Sequence, residues 1–304
     1  MQNGVLVSII ADTKVRANFD MKATDLDGWQ ESGFPVAESG IGSVLRYYPV
    51  VDSTNRLARV WASGGGSGSS ASRMNSAWSE VAPNGAVIIA DHQTSGRGRQ
   101  GRLWESSPGQ NLLLTAIIRA QEPLLSDHVA RGMLPLATSL AVSATIATFV
   151  GEGDVSIKWP NDVLLGGKKC AGILVEASVE DVFLIGIGLN VNESEFSDQV
   201  GALATSLLLH TGRRFDRRSV FITLMEQLNY WIPKVLEKGA EDVAATYTKK
   251  MAGMGLPITL NTSSASVQGI LRGINGDGGL VVEHNSSQKV YYSGEVSLSH
   301  VLFE

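Results

Sequence analysis

Residues 155–192 read "VSIKWPNDVLLGGKKCAGILVEASVEDVFLIGIGLNVN", and this stretch decides the fold. Aliphatic and β-branched residues dominate it, as is typical of strands in a buried sheet. Two turn signals interrupt it, at Pro160-Asn161-Asp162 and at Gly166-Gly167. The pattern therefore predicts three strands of a sheet.

The segments upstream predict more of the same sheet. "GAVIIA" (85–90) and "NLLLTAIIR" (111–119) are apolar runs of strand length. Between "YPV" and the Gly/Ser-rich stretch at 62–77, a helix begins after Asp52 or Ser53 and turns Leu57, Val60 and Trp61 inward. The stretch at 62–77 reads as a surface loop, and the sequence assigns it no function.

Helices are predicted on both sides of residues 155–192. Residues 127–149 form one long apolar helix with Pro135 in its interior, and two more helices lie within 217–251. Serines, threonines and the proline make the first of these a buried helix rather than a membrane span. Successive strands with no helix between them, and helices on either side, indicate an α+β domain with a mixed sheet and flanking helices.

The pattern changes after about Gly255. Short alternating segments follow one another, and turn residues such as Asn275-Gly276-Asp277-Gly278 separate them. This texture is typical of a small β-barrel. The sequence thus predicts an N-terminal extension (1–44), a mixed α+β domain (45–252) and a β module (253–304).

Composition limits the class of protein. The chain has 304 residues, 43% of them hydrophobic, and a net charge of −5, which argues against nonspecific nucleic-acid binding. The only cysteine, Cys170, excludes an internal disulfide and fits a reducing compartment. The five histidines lack the spacing of metal ligands, and no signal peptide is evident. A cytoplasmic protein is predicted.

The loop between the strands at 85–90 and 111–119 contains "SGRGRQGRLW" (95–104), in which Gly96–Gly101 matches G-x-G-x-x-G. A dinucleotide-binding turn would follow its strand directly and open a helix, but five residues precede Gly96, and Pro108 and Gly109 oppose a helix. A protein kinase would need H-R-D and D-F-G, and neither tripeptide occurs. Both interpretations are excluded.

The arginines of this loop indicate anion binding. Glycines allow close approach of backbone N–H groups, and Arg97, Arg99 and Arg102 can each place forked donors on carboxylate or phosphate oxygens. An extended loop would put Arg97 and Arg99 on one side, and Trp104 could pack against a purine. A solvated basic loop remains the alternative.

Polar residues gather at other turns. Lys158 and Asp162 flank Pro160 and could bind phosphate, orient a lysine or hold Mg²⁺; a simple polar turn is the alternative. Lys169 stands at the mouth of a buried strand, where it could reach an anion or form part of a hairpin. Asn190 ends another strand and could contact a nucleotide. Residues 52–55 could cap a helix or bind a ligand.

Five motifs in this order resemble the biotin–protein ligases (biotin–[acetyl-CoA-carboxylase] ligases). They are "DSTN" (52–55), "QTSGRGRQGRLW" (93–104), "KWPNDV" (158–163), "KKCAGILVE" (168–176) and "GIGLNVN" (186–192). The resemblance spans about residues 47–192, and the C-terminal module is similar to the family's SH3-like domain. It implies a class II synthetase-like catalytic domain, followed by that barrel.

The resemblance also implies a two-step reaction. Biotin's carboxylate attacks the α-phosphate of ATP, with Mg²⁺, to give biotinoyl-5′-AMP and pyrophosphate. A lysine of a biotin carboxyl carrier protein, part of a biotin-dependent carboxylase, then attacks the adenylate. No DNA or membrane partner is implied, and a homodimer is left open.

The family's site residues carry over by motif. Biotin is expected to contact Ser53, Thr54, Asn55, Gln93, Arg97, Gly98, Arg99 and Lys169. ATP is expected to contact Arg102, Trp104, Lys158, Asn161 and Asn190. The catalytic residues are expected to be Arg99, Lys169 and Asp162, with Asp162 also a ligand of Mg²⁺.

Two features depart from the family or leave alternatives. Gln100 stands where many members carry another arginine. Residues 1–44 are too short and too poor in helical periodicity for the winged helix-turn-helix of some members, so a monofunctional ligase is expected. The alternatives are a lipoate/octanoate–protein ligase, which shares the fold, and a biotin-responsive regulator.

Overall fold

The protein is described by a computed structural model that covers residues 39–64, 81–119, 128–178, 182–236 and 240–298. Most of the predicted extension (1–44) and of the predicted surface loop (62–77) lies outside these residues. The described chain forms two sheets with helices between and around them.

The larger sheet has seven strands in the order β1-β2-β3-β7-β6-β5-β4. Strands β1 and β2 are parallel, and every other neighbouring pair is antiparallel, so the predicted mixed sheet is confirmed. The strands are β1 (Leu45–Val51), β2 (Val87–Gln93), β3 (Leu112–Arg119), β4 (Val155–Lys158), β5 (Asp162–Leu165), β6 (Lys168–Ala177) and β7 (Val182–Leu189).

The prediction of three strands in residues 155–192 is wrong, because the structure has four. The third predicted strand is a hairpin, β6 and β7, whose ends meet where Ser178 N–H donates to the Val182 carbonyl at 2.7 Å. A single strand of that length would find no partner to match it, since β3 and β5 are far shorter. Folding back lets the two apolar halves pair with each other.

Five helices cover the sheet within the described part of the chain. They are α1 (Thr54–Ala62), α2 (His128–Val150), α3 (Leu207–Thr211), α4 (Arg217–Leu236) and α5 (Ala240–Lys250). Helix α1 packs on one face, over β2, β3 and β7, whereas α2, α4 and α5 pack together on the opposite face. Each face of the sheet has its own hydrophobic core, and successive side chains of β7 point to opposite faces. Ile185 and Ile187 pack on the side of the three helices, and Leu184 packs on the side of α1.

Helix α2 matches the long apolar helix of the sequence. Its Gly132–Val150 segment is long and apolar enough to cross a membrane, but 67% of that window is buried inside the protein. The helix continues past Pro135, whose carbonyl accepts a hydrogen bond from the Ser139 hydroxyl at 2.8 Å. Its apolarity is therefore explained by burial, as the sequence predicts.

The second sheet is the predicted β module. It has five antiparallel strands in the order β11-β10-β9-β8-β12, and the turn at 275–278 joins β9 to β10. The strands are β8 (Pro257–Asn261), β9 (Ser266–Ile274), β10 (Leu280–His284), β11 (Ser287–Tyr291) and β12 (Glu295–Leu298). Ile258, Leu271 and Val296 of this sheet share one core cluster with Tyr247 of α5.

Part of the larger sheet's α1 face carries glycines in place of side chains. Gly172 of β6 lies directly opposite Gly188 of β7, and Gly186 lies two residues from Gly188 on the same face. With no side chains at these positions, the strands form a flat floor beside α1. The chemically active side chains of the protein stand around this floor.

Candidate functional site

The loop between β2 and β3 bends over the glycine floor. Gly98 N–H donates to the Arg102 carbonyl at 2.7 Å, and Trp104 N–H donates to the Gly96 carbonyl at 3.0 Å. A short 3₁₀ turn at Arg99–Gly101 forms the tip of this loop, with Gln100 at φ 57°. The tip of the loop is therefore a turn, whereas the backbone of Gly98, between Arg97 and Arg99, is extended.

The three arginines of this loop have different surroundings. Arg97 is exposed and makes no hydrogen bond or ion pair with the residues that the structure describes. Arg99 is half-buried and donates to Asn161 Oδ1 at 3.1 Å and to the Gly294 carbonyl at 3.3 Å. Arg99 thus connects the loop to the "KWPNDV" turn and to the second sheet.

Arg102 forms a forked ion pair with Glu295 at the start of β12. Its Nη1 and Nη2 atoms lie 3.0 and 2.5 Å from the two carboxylate oxygens. This hydrogen bond raises the pKa of Arg102 and lowers the pKa of Glu295. Burial lowers the pKa of Arg99, and the charges of Asp162 and Glu295 oppose that shift. These shifts show that the cations of the loop, Arg99 and Arg102, lie close enough to two carboxylates to interact with them electrostatically. The two carboxylates belong to Asp162 and Glu295.

Lys169 and Trp104 meet on the glycine floor. Lys169 Nζ lies 2.7 Å from Asp162 Oδ1 and 5.5 Å from the centroid of the Trp104 ring. The indole rests on Gly172 and Gly188 so closely that a Cβ atom at Gly188 would come within 2.5 Å of it. Asp162 is the first residue of β5 rather than part of the turn, and it pairs in register with Lys158 of β4.

A cluster of polar side chains lies at the start of α1. Ser53 is the N-cap residue, but its side chain makes no capping hydrogen bond, so its hydroxyl is not used by the helix. Gln93, the last residue of β2, accepts a hydrogen bond from Thr54 N–H at 2.8 Å through Oε1. This bond fixes the Gln93 carboxamide, because the backbone N–H can only donate.

Asn55 is held by two residues that the sequence analysis missed. Its Oδ1 lies 2.6 Å from Thr115 Oγ1, and its Nδ2 donates to Glu176 Oε2 at 2.8 Å. The carboxamide also packs on Gly186, where a Cβ atom would be 2.3 Å from Oδ1. The sequence contains a sign of each residue's role, since each is a polar residue in an apolar strand. Thr115 is the only hydroxyl residue in "NLLLTAIIR", and Glu176 ends "KKCAGILVE".

Asn190 lies just beyond the end of β7 and is 3% exposed. Its Nδ2 donates to the Thr205 carbonyl at 3.0 Å, while its Oδ1 is buried without a hydrogen-bond partner among the described residues. The indole Nε1 of Trp104 is also buried and has no partner there. A buried acceptor and a buried donor thus remain unused in this part of the site.

The structure therefore brings most of the predicted residues together and separates a few. Arg99, Asn161, Asp162, Lys169 and Trp104 form a connected cluster. Arg97 is exposed to solvent, and the carboxamide of Asn55 is taken up by protein partners. Gly98 serves the loop's own hydrogen bonding.

Comparisons with known proteins agree with this site. The model of the Biotin/lipoate A/B protein ligase family matches residues 67–192, and that of the Biotin protein ligase C terminal domain matches residues 254–299. The Bifunctional ligase/repressor BirA of Bacillus subtilis is 30% identical over 88% of this chain and 78% of its own length. The Biotin–[acetyl-CoA-carboxylase] ligase of Mycobacterium tuberculosis is 32% identical over 70% of this chain and 79% of its own.

Solved structures give the same result. The biotin protein ligase from Aquifex aeolicus in complex with biotin and ATP is similar, with a TM-score of 0.68 and 30% identity, over 83% of this chain and 97% of that one. The chain belongs to the biotin/lipoate A/B protein ligase family, as one of its biotin–protein ligases.

Proposed function

We propose that this biotin–protein ligase joins biotin to ATP as biotinoyl-5′-AMP, with release of pyrophosphate, and then transfers biotin to a lysine of a biotin carboxyl carrier protein. One observation carries the proposal. Polar groups fixed at Thr54 and Gln93 lie on the α1 side of the sheet, where Lys169 stands on the glycine floor beside Asp162, and Arg99 binds the neighbouring Asn161. Such a site accepts a ligand with a polar head at one end and a carboxylate at the other.

The cations account for the first step. A carboxylate must approach a phosphate, so both negative charges need neutralising before the oxygen attacks the α-phosphorus. Lys169 stands over the floor, where the biotin carboxylate would end, and Arg99 is held by Asn161 and Gly294 at the loop tip. Pyrophosphate leaves as the carboxylate oxygen bonds to phosphorus. The loop at residues 95–104, the arginine loop, then covers the resulting anhydride and keeps water away from it.

Asp162 is suited to the second step. Its carboxylate lies 2.7 Å from Lys169 Nζ, so the two side chains form a local ion pair. An incoming carrier lysine must be neutral to attack the anhydride, and a carboxylate at this position can bind its ammonium form and accept a proton. AMP then leaves with the phosphate oxygen of the broken bond.

Adenine is the proposed partner of Asn190. Its buried Oδ1 needs a donor, and the exocyclic amine of adenine supplies one. Arg102 and Lys158 stand near Glu295 at the edge of the second sheet, and we assign them to the phosphates of ATP. Trp104 provides the flat apolar surface between the two ligands.

Mg²⁺ would be held chiefly by ATP. The described residues contain no group of three His, Cys, Asp or Glu side chains that could hold an ion. Asp162 fits as a single carboxylate ligand, although Lys169 already neutralises it. This donor set suits an ion that arrives on the phosphates and screens their charge. The protein's own contribution is the positioning of cations around that charge.

The two predicted domains have distinct roles in this proposal. We assign residues 45–252 to catalysis and residues 253–304 to covering the arginine loop, on the support of the Arg99–Gly294 and Arg102–Glu295 contacts. The carrier domain of a biotin-dependent carboxylase is the proposed macromolecular partner, in the cytoplasm where ATP is available. Repressor activity would depend on residues 1–38, which lie outside the described part.

The decisive experiment is ATP–pyrophosphate exchange with biotin, lipoate and octanoate as separate substrates. We expect exchange with biotin alone, because lipoate's dithiolane and octanoate's alkyl chain offer no polar group to the Thr54 hydroxyl or to the Gln93 amide nitrogen. Exchange with lipoate or octanoate in preference to biotin would instead assign the protein to the lipoate branch of the family.

A further inference from the structure

Glu193 is a buried carboxylate that the proposed reaction does not use. It is 2% exposed, and within the described part of the chain no lysine, arginine or histidine forms an ion pair with it. Its Oε2 atom instead accepts two hydrogen bonds, from Ser107 N–H at 2.8 Å and from Asn111 Nδ2 at 2.7 Å. Glutamate is rarely buried without a cationic partner, so these contacts indicate a role in the neighbouring site.

Ser107 lies where the chain leaves the arginine loop, four residues before β3 is reached through Asn111. The residue is exposed, but its backbone N–H is held by the buried Glu193 carboxylate. Within residues 105–108, all of which the structure describes, no other backbone N–H donates a hydrogen bond. Glu193 is therefore the anchor of the loop at its exit.

The Asn111 carboxamide connects Glu193 to the segment that follows β7. Its nitrogen must face Glu193, because a carboxylate can only accept. Its Oδ1 accepts from Val191 N–H at 3.0 Å. Val191 adjoins Asn190, whose Oδ1 is the proposed acceptor for adenine. Glu193 and Asn111 thus fix the main chain beside the nucleotide contact.

The main chain of Glu193 is also tied to the segment that holds Lys169. The Glu193 carbonyl accepts from Ser206 Oγ at 2.6 Å. The neighbouring Thr205 donates through its N–H to the Lys169 carbonyl at 2.9 Å, and its own carbonyl accepts from Asn190 Nδ2 at 3.0 Å. One network therefore reaches the loop exit, the adenine contact and the lysine of the site.

We infer that Glu193 is a positioning residue that couples nucleotide binding at Asn190 to closure of the arginine loop. The inference rests on the proposed function, in which adenine binds at Asn190. A nucleotide that immobilises Asn190 also immobilises the adjoining Val191. Asn111 passes this order to the carboxylate that holds Ser107, so closure of the loop then loses less conformational entropy. Glu193 does not touch the reacting atoms.

The test measures hydrogen exchange at residues 96–104 with and without saturating α,β-methylene-ATP, an ATP analogue that cannot release pyrophosphate. The ratio of the two exchange rates measures the coupling between the nucleotide and the loop. We expect a ratio of about tenfold in the wild type, which is within the usual range of such couplings. In Glu193→Ala the analogue should still bind, but the ratio should fall to about twofold or less.

Two further variants test the hydrogen bonds themselves. Glu193→Gln keeps an oxygen that can accept from Ser107 and Asn111, so its ratio should stay within about twofold of the wild-type value. Ser107→Pro removes the N–H donor of an exposed residue, and the position before Pro108 favours backbone angles that proline adopts. Its ratio should fall as in Glu193→Ala, which keeps the test decisive if the alanine variant does not fold.

Asn229→Ala is the matched control for a general loss of stability. Its carboxamide accepts from Ile41 N–H and donates to the Ile41 carbonyl, both at 2.8 Å, and none of its hydrogen bonds involves the residues around Glu193. The substitution should lower the free energy of unfolding but leave the exchange ratio at the wild-type value. An equal fall of the ratio in Asn229→Ala would overturn the inference, because any destabilised variant would then lose the coupling.

The remaining outcomes separate the coupling from the proposed function. A wild-type ratio in both Glu193→Ala and Ser107→Pro would overturn the coupling and leave the proposed function intact. The same conclusion follows if the wild type binds the analogue but exchange in its loop does not change. A wild type that binds neither biotin nor the analogue would overturn the proposed function and the coupling together.

Discussion

The carboxamide of Asn190 is buried, but only its nitrogen has a hydrogen-bond partner among the described residues. Its nitrogen bonds to the Thr205 carbonyl, whereas Oδ1 has no partner there. Leaving a buried acceptor unpaired is costly, and native proteins rarely do so without a function. The orientation of this one side chain therefore supports an adenine contact more strongly than its place in the "GIGLNVN" motif does.

Replacement of Asn190 by alanine should weaken ATP binding selectively. We expect the KM for ATP to rise about tenfold, the equivalent of one lost hydrogen bond, with biotin affinity within about twofold of wild type. Initial rates of pyrophosphate release at varied ATP, and calorimetry with biotin, would measure the two effects.

Asn192 provides the matched control, because both ends of its carboxamide are used internally. Its Nδ2 donates to the Phe215 carbonyl at 2.8 Å, and its Oδ1 accepts from Phe215 N–H at 2.9 Å. Asn192→Ala should lower the unfolding free energy without changing the KM for ATP. An equal rise of the KM for ATP in both variants would show that Asn190 acts through the fold rather than through adenine.

Among the elements, the β6–β7 hairpin shapes the site because glycines leave part of its surface without side chains. Gly172 and Gly188 are directly paired across the two strands, and Trp104 fills the space above them. Lys169 also lies near Gly172, where a Cβ atom would come within 3.1 Å of its side chain. The hairpin therefore places the indole and the lysine together at the centre of the site.

Gly188→Ala should displace Trp104 and abolish most of the adenylation activity. A Cβ atom at this position would lie 2.5 Å from the indole, far inside van der Waals contact, so the ring of Trp104 must shift. We expect kcat/KM for pyrophosphate release to fall at least about a hundredfold, since misplacement by 1 Å can cost that much. Far-ultraviolet circular dichroism should stay native.

Gly153→Ala is the control for this substitution. Nothing lies within 4 Å of a Cβ atom at Gly153, so activity should be unchanged. Wild-type activity in Gly188→Ala would mean that the position of the indole over the floor is irrelevant to catalysis.

Local patterns explain how far the sequence could predict this element. The apolar runs and the turn signals at 160–162 and 166–167 predicted β2 to β5, and the ordered motifs predicted the family, whereas β1 was not predicted. The reversal at 178–182 was missed, because the apolar segments on both sides of it read as one. The glycine floor was also beyond prediction, since Gly172 and Gly188 meet only once the register is known.

The same limit applies to the arginine loop. Its glycines and arginines predicted anion binding, but they did not predict which arginines would bind other parts of the protein. That depends on Asn161 and Gly294, which are distant in sequence from Arg99. Contacts between remote segments, such as the hydrogen bonds of Asn55 with Thr115 and Glu176, are set by tertiary packing, which local spacing cannot reveal.

At the scale of the whole molecule, the second sheet forms one side of the site. Strand β12 begins at Glu295, and this residue and Gly294 bind two arginines of the loop from the larger sheet. Both sheets contribute to one continuous core, so the second sheet approaches the loop from a firmly packed base. Loop closure over the adenylate should therefore depend on the second sheet.

Glu295→Gln should loosen the arginine loop while leaving the fold intact. The Arg102–Glu295 pair is forked but partly exposed, so we expect hydrogen exchange at residues 96–104 to quicken only about two- to fivefold. Release of biotinoyl-5′-AMP should quicken to a similar degree. Glu283→Gln, which breaks another exposed pair of the same sheet, should change neither rate.

Acidification should have the same effect as the Glu295→Gln substitution. The Arg102 hydrogen bond lowers the folded-state pKa of Glu295, so its contribution to loop closure is complete above the ordinary glutamate pKa of about 4.3 and is lost as the pH falls through the lowered value. Adenylate release from the wild type should therefore quicken only below about pH 4.3, and Glu295→Gln should lack this rise. An identical acid profile in both proteins would assign the change to another group.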